Sequence, residues 1–337
     1  MARATWILLG GDTLLGKEIR DLAEERKLPV HLRLLSAGTA ERVLTEEEGE
    51  LSVMEPLDAE SVEDAAVVLL AGAAESNRKA FELVRKAERR PALVDLRGDL
   101  EGLPEARLRA PLSETASVPG GPGTVHVVAH AAASALARVL AALHERSPIR
   151  HVVATIFEPA SERGREGVDE LHKQTVSLFS FQKLPKAVFD AQASFNLLPR
   201  YGEDAPVSLE SVEQRIERHL ATLLAPRGIP LPSLRLIQAP VFHGYCQSVW
   251  VEFAIRPAAM EVERWCEEAG FDVRRADVEP GSNASAAGMS GVIVGDILED
   301  RSDGRGMWLW LAGDNLRTMA ENALLTAGLA ARQESAG

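Results

Sequence analysis

A chain of 337 residues is too long for one ordinary hydrophobic core and suits two domains of common size. Its 46% hydrophobic and 26% charged residues are those of a globular α/β protein, and its formal charge of -13 argues against nucleic acid or an anionic membrane as partner, because either would repel an acidic surface. Cys246 and Cys266 supply neither a disulfide framework nor metal-ligand spacing, so no metal site is expected and a reducing cytoplasm is the expected location.

The first apolar stretch, TWILL at 5–9, is short and runs into a glycine-bearing turn, which reads as a buried strand and not as a secretion signal. With the helical pattern of 14–26 it makes the strand, turn and helix that begin a nucleotide-binding βαβ unit. Apolar runs at 32–35, 66–72 and 92–96, with a helical stretch over 75–89, suit a parallel sheet covered on both faces. No run reaches the ~18–20 apolar residues that would span a bilayer. PGGPG at 119–123 is a breaker cluster and a plausible boundary, and the alanine-rich 131–146 behind it is a helix by propensity.

Beyond the strand at 151–157, a helix should carry Val168, Leu171, Thr175 and Leu178 on one stripe. Another, N-capped by Ser208, should bury Val212, Ile216, Leu220 and Leu223. Strands at 247–255, 291–298 and 306–311 alternate or run apolar as in a half-covered, largely antiparallel sheet. Cys266 shares the apolar stripe of Val262, Trp265 and Ala269 on a helix ended by Gly270 and reads as core. A last helix, capped by Asp314, should bury Leu316, Ala320, Ala323, Leu324 and Ala327. The fold class is thus α/β: a Rossmann-like parallel-sheet domain over 1–122, with the C-terminal helix 314–332 packing back on it, and an α+β domain with a mixed, largely antiparallel sheet over 123–313.

Seven segments then recur in a family order: LLGGDTLLG at 8–16, LAG at 70–72, GREGVDEL at 164–171, FNLLP at 195–199, APVFHG at 239–244, SVWVEF at 248–253 and GRGMWLWLAGDNLR at 304–317. Through them the chain resembles the aspartate-semialdehyde dehydrogenase family over nearly its full length. GREGVDELHKQT and IQAPVFHG look most like its usg-type branch of paralogues. The resemblance implies a homodimer formed through the second domain and an NADP-dependent oxidoreductase. In that chemistry a cysteine thiolate attacks the aldehyde, hydride leaves to nicotinamide, and phosphate releases an acyl phosphate. A histidine acts as acid and base, and arginines hold the anions because their planar fork binds them bidentately.

Laid onto this chain, those roles lose their reagents. The nucleophile position falls on Ala131, the arginine two residues before Pro240 on Gln238, and the base five residues after that proline on Tyr245. A methyl group cannot attack a carbonyl, Gln238 has no charge with which to hold an anion, and a phenol with a free pKa near 10 is a poor base. The phosphate-site arginine becomes acidic around Asp99 to Glu101, and the helical lysine falls near Glu213, with Glu217 a surviving family-type acid or a surface residue. Groups that work as a unit are lost together. As replacements, His130 could donate a hydrogen bond or hold a ligand, and His243 and Tyr245, two apart, would share one side of a strand, with Cys246 turned away as a small buried hydrophobe.

For the cofactor, Gly10 and Gly16 supply two glycines of the dinucleotide fingerprint, but Thr13 occupies the middle position, where a β-branched residue resists positive φ, and Asp12 adds negative charge. Ser36, Ala37 and Gly38, with Arg33 and Arg42, lie where a 2′-phosphate would be recognised. NADP is therefore the implied cofactor at a weakened site. The expected function is that of a non-catalytic homologue that binds or regulates, pairing with itself or with an active paralogue. The alternative is an active NADP-dependent semialdehyde dehydrogenase, or another NADP-linked oxidoreductase, using Tyr245 with His130 or His243.

Overall fold

The computed structural model describes residues 4–36, 43–47, 50–114 and 123–334. Ala37, Gly38, Arg42 and the first four residues of PGGPG lie outside them. The chain divides into two compact units, Met1–Ala129 with Met319–Gly337, and His130–Thr318.

The first unit runs β1 (Ala4–Leu9), α1 (Leu14–Glu25), β2 (Val30–Ser36), β3 (Val43–Glu47), β4 (Glu50–Pro56), α2 (Ala59–Glu63), β5 (Val67–Leu70), α3 (Ala74–Lys86), β6 (Ala92–Asp95), β7 (Ala106–Arg109) and β8 (Val125–Val128). Its sheet has the order β3-β4-β2-β1-β5-β6-β8-β7. Every pair is parallel except the β3/β4 hairpin at one edge. Every residue of β5, β6 and β8 is buried, which explains why β5 is a continuous apolar run and why β6 and β8 depart from one only at Asp95 and His126. The order reverses at β1, between β2 and β5, and the Gly10 turn follows at its carboxyl end, where open α/β sheets place their ligands.

The second unit begins with α4 (Ala131–His144) and β9 (Ile149–Glu158), followed by a 3-10 turn (Ala160–Arg163), α5 (Gly164–Phe179) and α6 (Leu209–Leu224). Then come β10 (Ser233–Gln238), β11 (Tyr245–Phe253), α7 (Ala259–Glu268), β12 (Asp272–Arg274), α8 (Asn283–Ala286), β13 (Ile293–Glu299) and β14 (Gly306–Gly313). The sheet order is β10-β9-β11-β14-β13-β12. It is antiparallel at β9/β11, β11/β14 and β13/β14 and parallel at its two outer pairs. On β11, Tyr245, Gln247, Val249, Val251 and Phe253 are buried, and Gln247 Nε2 donates to the Ala132 carbonyl of α4 at 3.1 Å. The opposite face, with Trp250 paired to Val153 and Trp308, is partly open. Finally α9 (Asn315–Glu334) starts in this unit, with Asp314 Oδ1 accepting from Arg317 N at 2.9 Å, and continues into the first. Ala320, Ala323, Leu324 and Ala327 are buried as expected, whereas Leu316 is only half-buried.

Two helical stripes differ from the expectation. On α6 the stripe is Val212, Ile216 and Leu220 with Leu224, not Leu223, and it also buries His219. On α5 the buried face is Gly167, Glu170, Leu171 and Gln174, rotated away from Val168 and Leu178. The cause is polar. Glu170 accepts from Val188 N and Phe189 N, while Gln174 donates to the Pro185 and Ala191 carbonyls and accepts from Ala193 N and Ser194 N. The two side chains satisfy the backbone of a partly buried loop that has no ladder of its own, and that requirement outranks apolar periodicity.

Candidate functional site

The turn after β1 closes on itself. Gly10 has φ +80, and a Cβ there would stand 2.6 Å from the Gly72 backbone; one on Gly16 would stand 2.1 Å from the Gly10 carbonyl oxygen. A Cβ on Gly11 would meet Leu34 at 2.9 Å. These glycines serve the packing of the chain against itself. Thr13 is extended, with φ -70 and ψ 161, so the positive φ expected at the middle position is not required. It is instead the N-cap of α1: its hydroxyl donates to Gly10 O at 2.8 Å and accepts from Gly16 N at 3.0 Å. The Gly16 amide is thus taken by Thr13 and not offered to a pyrophosphate, and in that respect the turn does not fit NADP in the manner of the fingerprint. Arg33 is paired with Glu55 and donates to the Ser61 carbonyl at 3.2 Å. After β6, buried Asp95 accepts from the backbone of Arg97, Gly98 and Leu100, and Asp99 accepts from Asn77 Nδ2 at 2.7 Å, so this acidic segment is a clasped turn.

In the second unit a buried polar cluster gathers at the mouth of α4. Ala131 is the first residue of that helix and 1% exposed. His130 caps it, with Nδ1 accepting from Ala132 N at 3.3 Å, while the His130 backbone N–H donates to His219 Nδ1 at 2.9 Å. An accepting Nδ1 leaves the ring proton on Nε2, which lies 3.5 Å from Glu162 Oε2 and 3.9 Å from Glu158 Oε2. Glu158 ends β9, and Glu162 and Arg163 come from the following 3-10 turn. Arg163 donates to Glu158 Oε1 at 3.0 Å, and Asn315 Nδ2 donates to Glu162 Oε1 at 3.0 Å. His130 Nε2, Glu158 Oε2 and Arg163 Nε are buried without a hydrogen-bond partner.

Burial pushes His130 down to about 4, reinforced by Arg215, His219 and Arg163 against the pull of Glu162. Burial also pushes Glu158 up to about 7, with Arg163 and Arg215 opposing and Glu162 adding to the rise. At Glu162 burial acts in the same upward direction, but His130, Arg163, Asn315 and Arg215 outweigh it and hold the carboxyl below its usual range. At neutral pH the cluster therefore holds a neutral imidazole and one carboxyl near its own midpoint.

Gln238, at the end of β10, is fully buried and fully engaged. Its Oε1 accepts from the Tyr201 hydroxyl at 2.6 Å, and its Nε2 donates to the Glu158 and Ala239 carbonyls at 2.9 and 2.8 Å. Tyr245 begins β11 opposite Gly313, where a Cβ would stand 2.5 Å from the phenolic oxygen, so that glycine makes room for the ring. Burial, only partly offset by Thr318, pushes its phenol well above the ordinary value, and it stays protonated at neutral pH. His243 precedes the strand, and Gly244, with φ +76, turns the chain between it and Tyr245, so the pair does not share a strand face as its spacing had suggested. Cys246 is at the other face, against Phe157 and Trp310, beside a cavity of about 250 Å³ that it lines with Leu197, Pro240 and Asn283. Burial pushes its thiol up to about 11, and that of fully buried Cys266 up to about 12. Glu213 accepts from Leu236 N, tying α6 to β10, and Glu217 is half-buried on the same helix.

The structure thus brings together His130, Ala131, Gln238 and the unforeseen Glu158, Glu162 and Arg163. Sequence signals for the last three existed only as charged residues in an otherwise apolar strand-to-helix junction. Among the described residues no group of acidic, histidine or cysteine side chains could hold a metal, and no helix is long and apolar enough to cross a membrane.

Comparison with known proteins places this arrangement. Residues 140–318 match the semialdehyde dehydrogenase dimerisation domain family. A USG-1 protein homolog of Pseudomonas aeruginosa is 30% identical over 324 residues, covering 94% of this chain and 95% of its own. The solved structure of a probable aspartate-semialdehyde dehydrogenase from Pseudomonas aeruginosa superposes with a TM-score of 0.81 at 26% identity, covering 97% of this chain and 98% of the other. An aspartate-semialdehyde dehydrogenase from Candida albicans, solved with NADP, shares the fold alone at 15% identity, with a TM-score of 0.67 over 99% of each chain.

Proposed function

The chain belongs to the aspartate-semialdehyde dehydrogenase family, in its usg-type branch, and from that premise we propose that it is a non-catalytic homologue that acts as a dimeric binding or regulatory protein. The observation that carries the reading is the mouth of α4. The position assigned to the nucleophile bears the buried methyl of Ala131, and Gln238, at the position assigned to the arginine, is committed to Tyr201 and to the Glu158 and Ala239 carbonyls. In the family's chemistry the thiolate forms a thioester, which phosphate then displaces; without sulfur at that point no acyl intermediate can form.

The substitutes weighed from sequence do not serve. Tyr245 keeps its proton, His243 sits off the strand, and Cys246 is a high-pKa thiol on the far face of the sheet. Gln238 cannot exchange its three bonds for a substrate anion without leaving Tyr201 unpaired. NADP binding is weak or absent in this reading, because Thr13 occupies the amide that a pyrophosphate would take. Self-association through the second unit is supported by its dimerisation-domain match and by the open face bearing Val153 and Trp308, which are 44% and 42% exposed. An active paralogue would be a second partner for the same face. The two buried thiols suit a reducing cytoplasm.

The test is restoration. Ala131→Cys, given NADP, aspartate semialdehyde and phosphate, should form no NADPH above the rate of the unaltered protein, since the base and the anion clamp are still missing. A phosphate-dependent rate from that single change would overturn the reading.

A further inference from the structure

We propose that His130, Glu158 and Arg163 form a binding site for the carboxylate of a small organic acid. The inference rests on the non-catalytic reading above and gives that site a ligand. Three buried polar atoms from three elements lack partners around one imidazole: Nε2 from the cap of α4, Oε2 from the end of β9, and Nε from the 3-10 turn. Native interiors leave few such atoms, and several together mark a place for something that hydrogen-bonds. With His130 Nε2 and Glu158 Oε2 3.9 Å apart, one oxygen can sit about 2.8 Å from both.

The chemistry of the three atoms selects the ligand. His130 Nε2 is a donor by tautomer, because Nδ1 already accepts from Ala132 N, and a guanidinium Nε can only donate. The site also lies at the positive end of α4. Two fixed donors call for an acceptor, and the facing charges decide its sign. Arg163 from the turn and Arg215 from α6 balance Glu158 and Glu162, while His130 and Tyr201 are uncharged at neutral pH and His219 accepts the His130 backbone N–H. An entering anion would be a third negative group beside two carboxylates unless Glu158 takes a proton. Once protonated, Glu158 Oε2 becomes a third donor, so the carboxylate oxygen between it and His130 Nε2 accepts from both, leaving the second oxygen for Arg163. A phosphate dianion would set its second charge against Glu162. Binding is then RCOO⁻ plus one H⁺, with the proton on Glu158 and no covalent bond made or broken.

Acetate is the probe, titrated calorimetrically into the full chain in two buffers of different ionisation enthalpy across about pH 6 to 8.5. The expected result above neutrality is uptake of about one proton per acetate, with affinity falling about tenfold per pH unit above about 7 and level below it. Glu158→Gln, permanently neutral, should bind acetate with the same affinity at every pH and take up no proton. The proton count on the unaltered protein decides the matter even if that variant fails to fold. No saturation by about 100 mM acetate, binding without proton uptake, or tighter binding of inorganic phosphate would overturn the site. The titration contains neither NADP nor aldehyde. Activity in Ala131→Cys would therefore remove the non-catalytic reading and leave this result standing, whereas failure to bind acetate would remove only the site.

Discussion

Truncating Gln238 to alanine should unfold the protein more readily than most single changes do, because the side chain joins three segments. The Tyr201 hydroxyl would lose its acceptor at 2.6 Å in a buried setting, at a cost of about 1–3 kcal/mol. The Ala239 carbonyl would lose a donor at 2.8 Å, worth about 0.5–1.5 kcal/mol net. The Glu158 carbonyl would lose less, since Ala239 N still donates to it at 2.9 Å. Gln238→Ala should therefore cost about 3 kcal/mol, with a small further loss from the cavity. Urea unfolding followed by far-UV circular dichroism measures it. Tyr201→Phe removes one partner cleanly and should recover part of that cost when combined with Gln238→Ala, giving a coupling of about 1 kcal/mol. A loss below about 1 kcal/mol, or additive effects in the double variant, would refute the view that this residue is a structural knot.

Glu158 has a distinct pH signature. Its folded pKa, raised to about 7 from 4.5, adds stability that is full below 4.5 and lost as pH rises through 7. Glu158→Gln should therefore gain on the unaltered protein between those values in a series of urea midpoints, and a difference that is flat with pH would contradict it. His130, lowered to about 4, makes both proteins less stable as pH falls from 6.5 and cancels in the comparison. The thiols of Cys246 and Cys266, at about 11 and 12, should resist Ellman's reagent at about pH 8 until urea unfolds the chain; prompt labelling of either would show a thiolate the structure does not contain.

Much of the fold was legible because its strands are apolar runs broken by turn residues, as at TWILL and ALVDL. Among the strands that escaped, β3 is VLTEE, β7 is ARLR, and β8, VHVV, carries a histidine in the sheet interior; β4, β10 and β12 escaped as well. The α5 stripe was misplaced because periodicity counts apolar residues, whereas Glu170 and Gln174 are buried by the amides and carbonyls of residues 185–194, a requirement that local sequence does not display. At the site, Ala131, Gln238 and Tyr245 could be located by their neighbours in sequence. The Glu158, Glu162 and Arg163 cluster could not, since its members become partners of His130 only when β9 and α4 are packed together.

In the proposed reading the mouth of α4 is a structural and binding feature that performs no aldehyde chemistry. Its most direct test is the unaltered protein at high concentration with NADP, aspartate semialdehyde and phosphate, followed at the absorbance of NADPH. The trace should be indistinguishable from one without protein. A phosphate-dependent rate of about 1 s⁻¹ or more, within the ordinary range of enzymes, would contradict it.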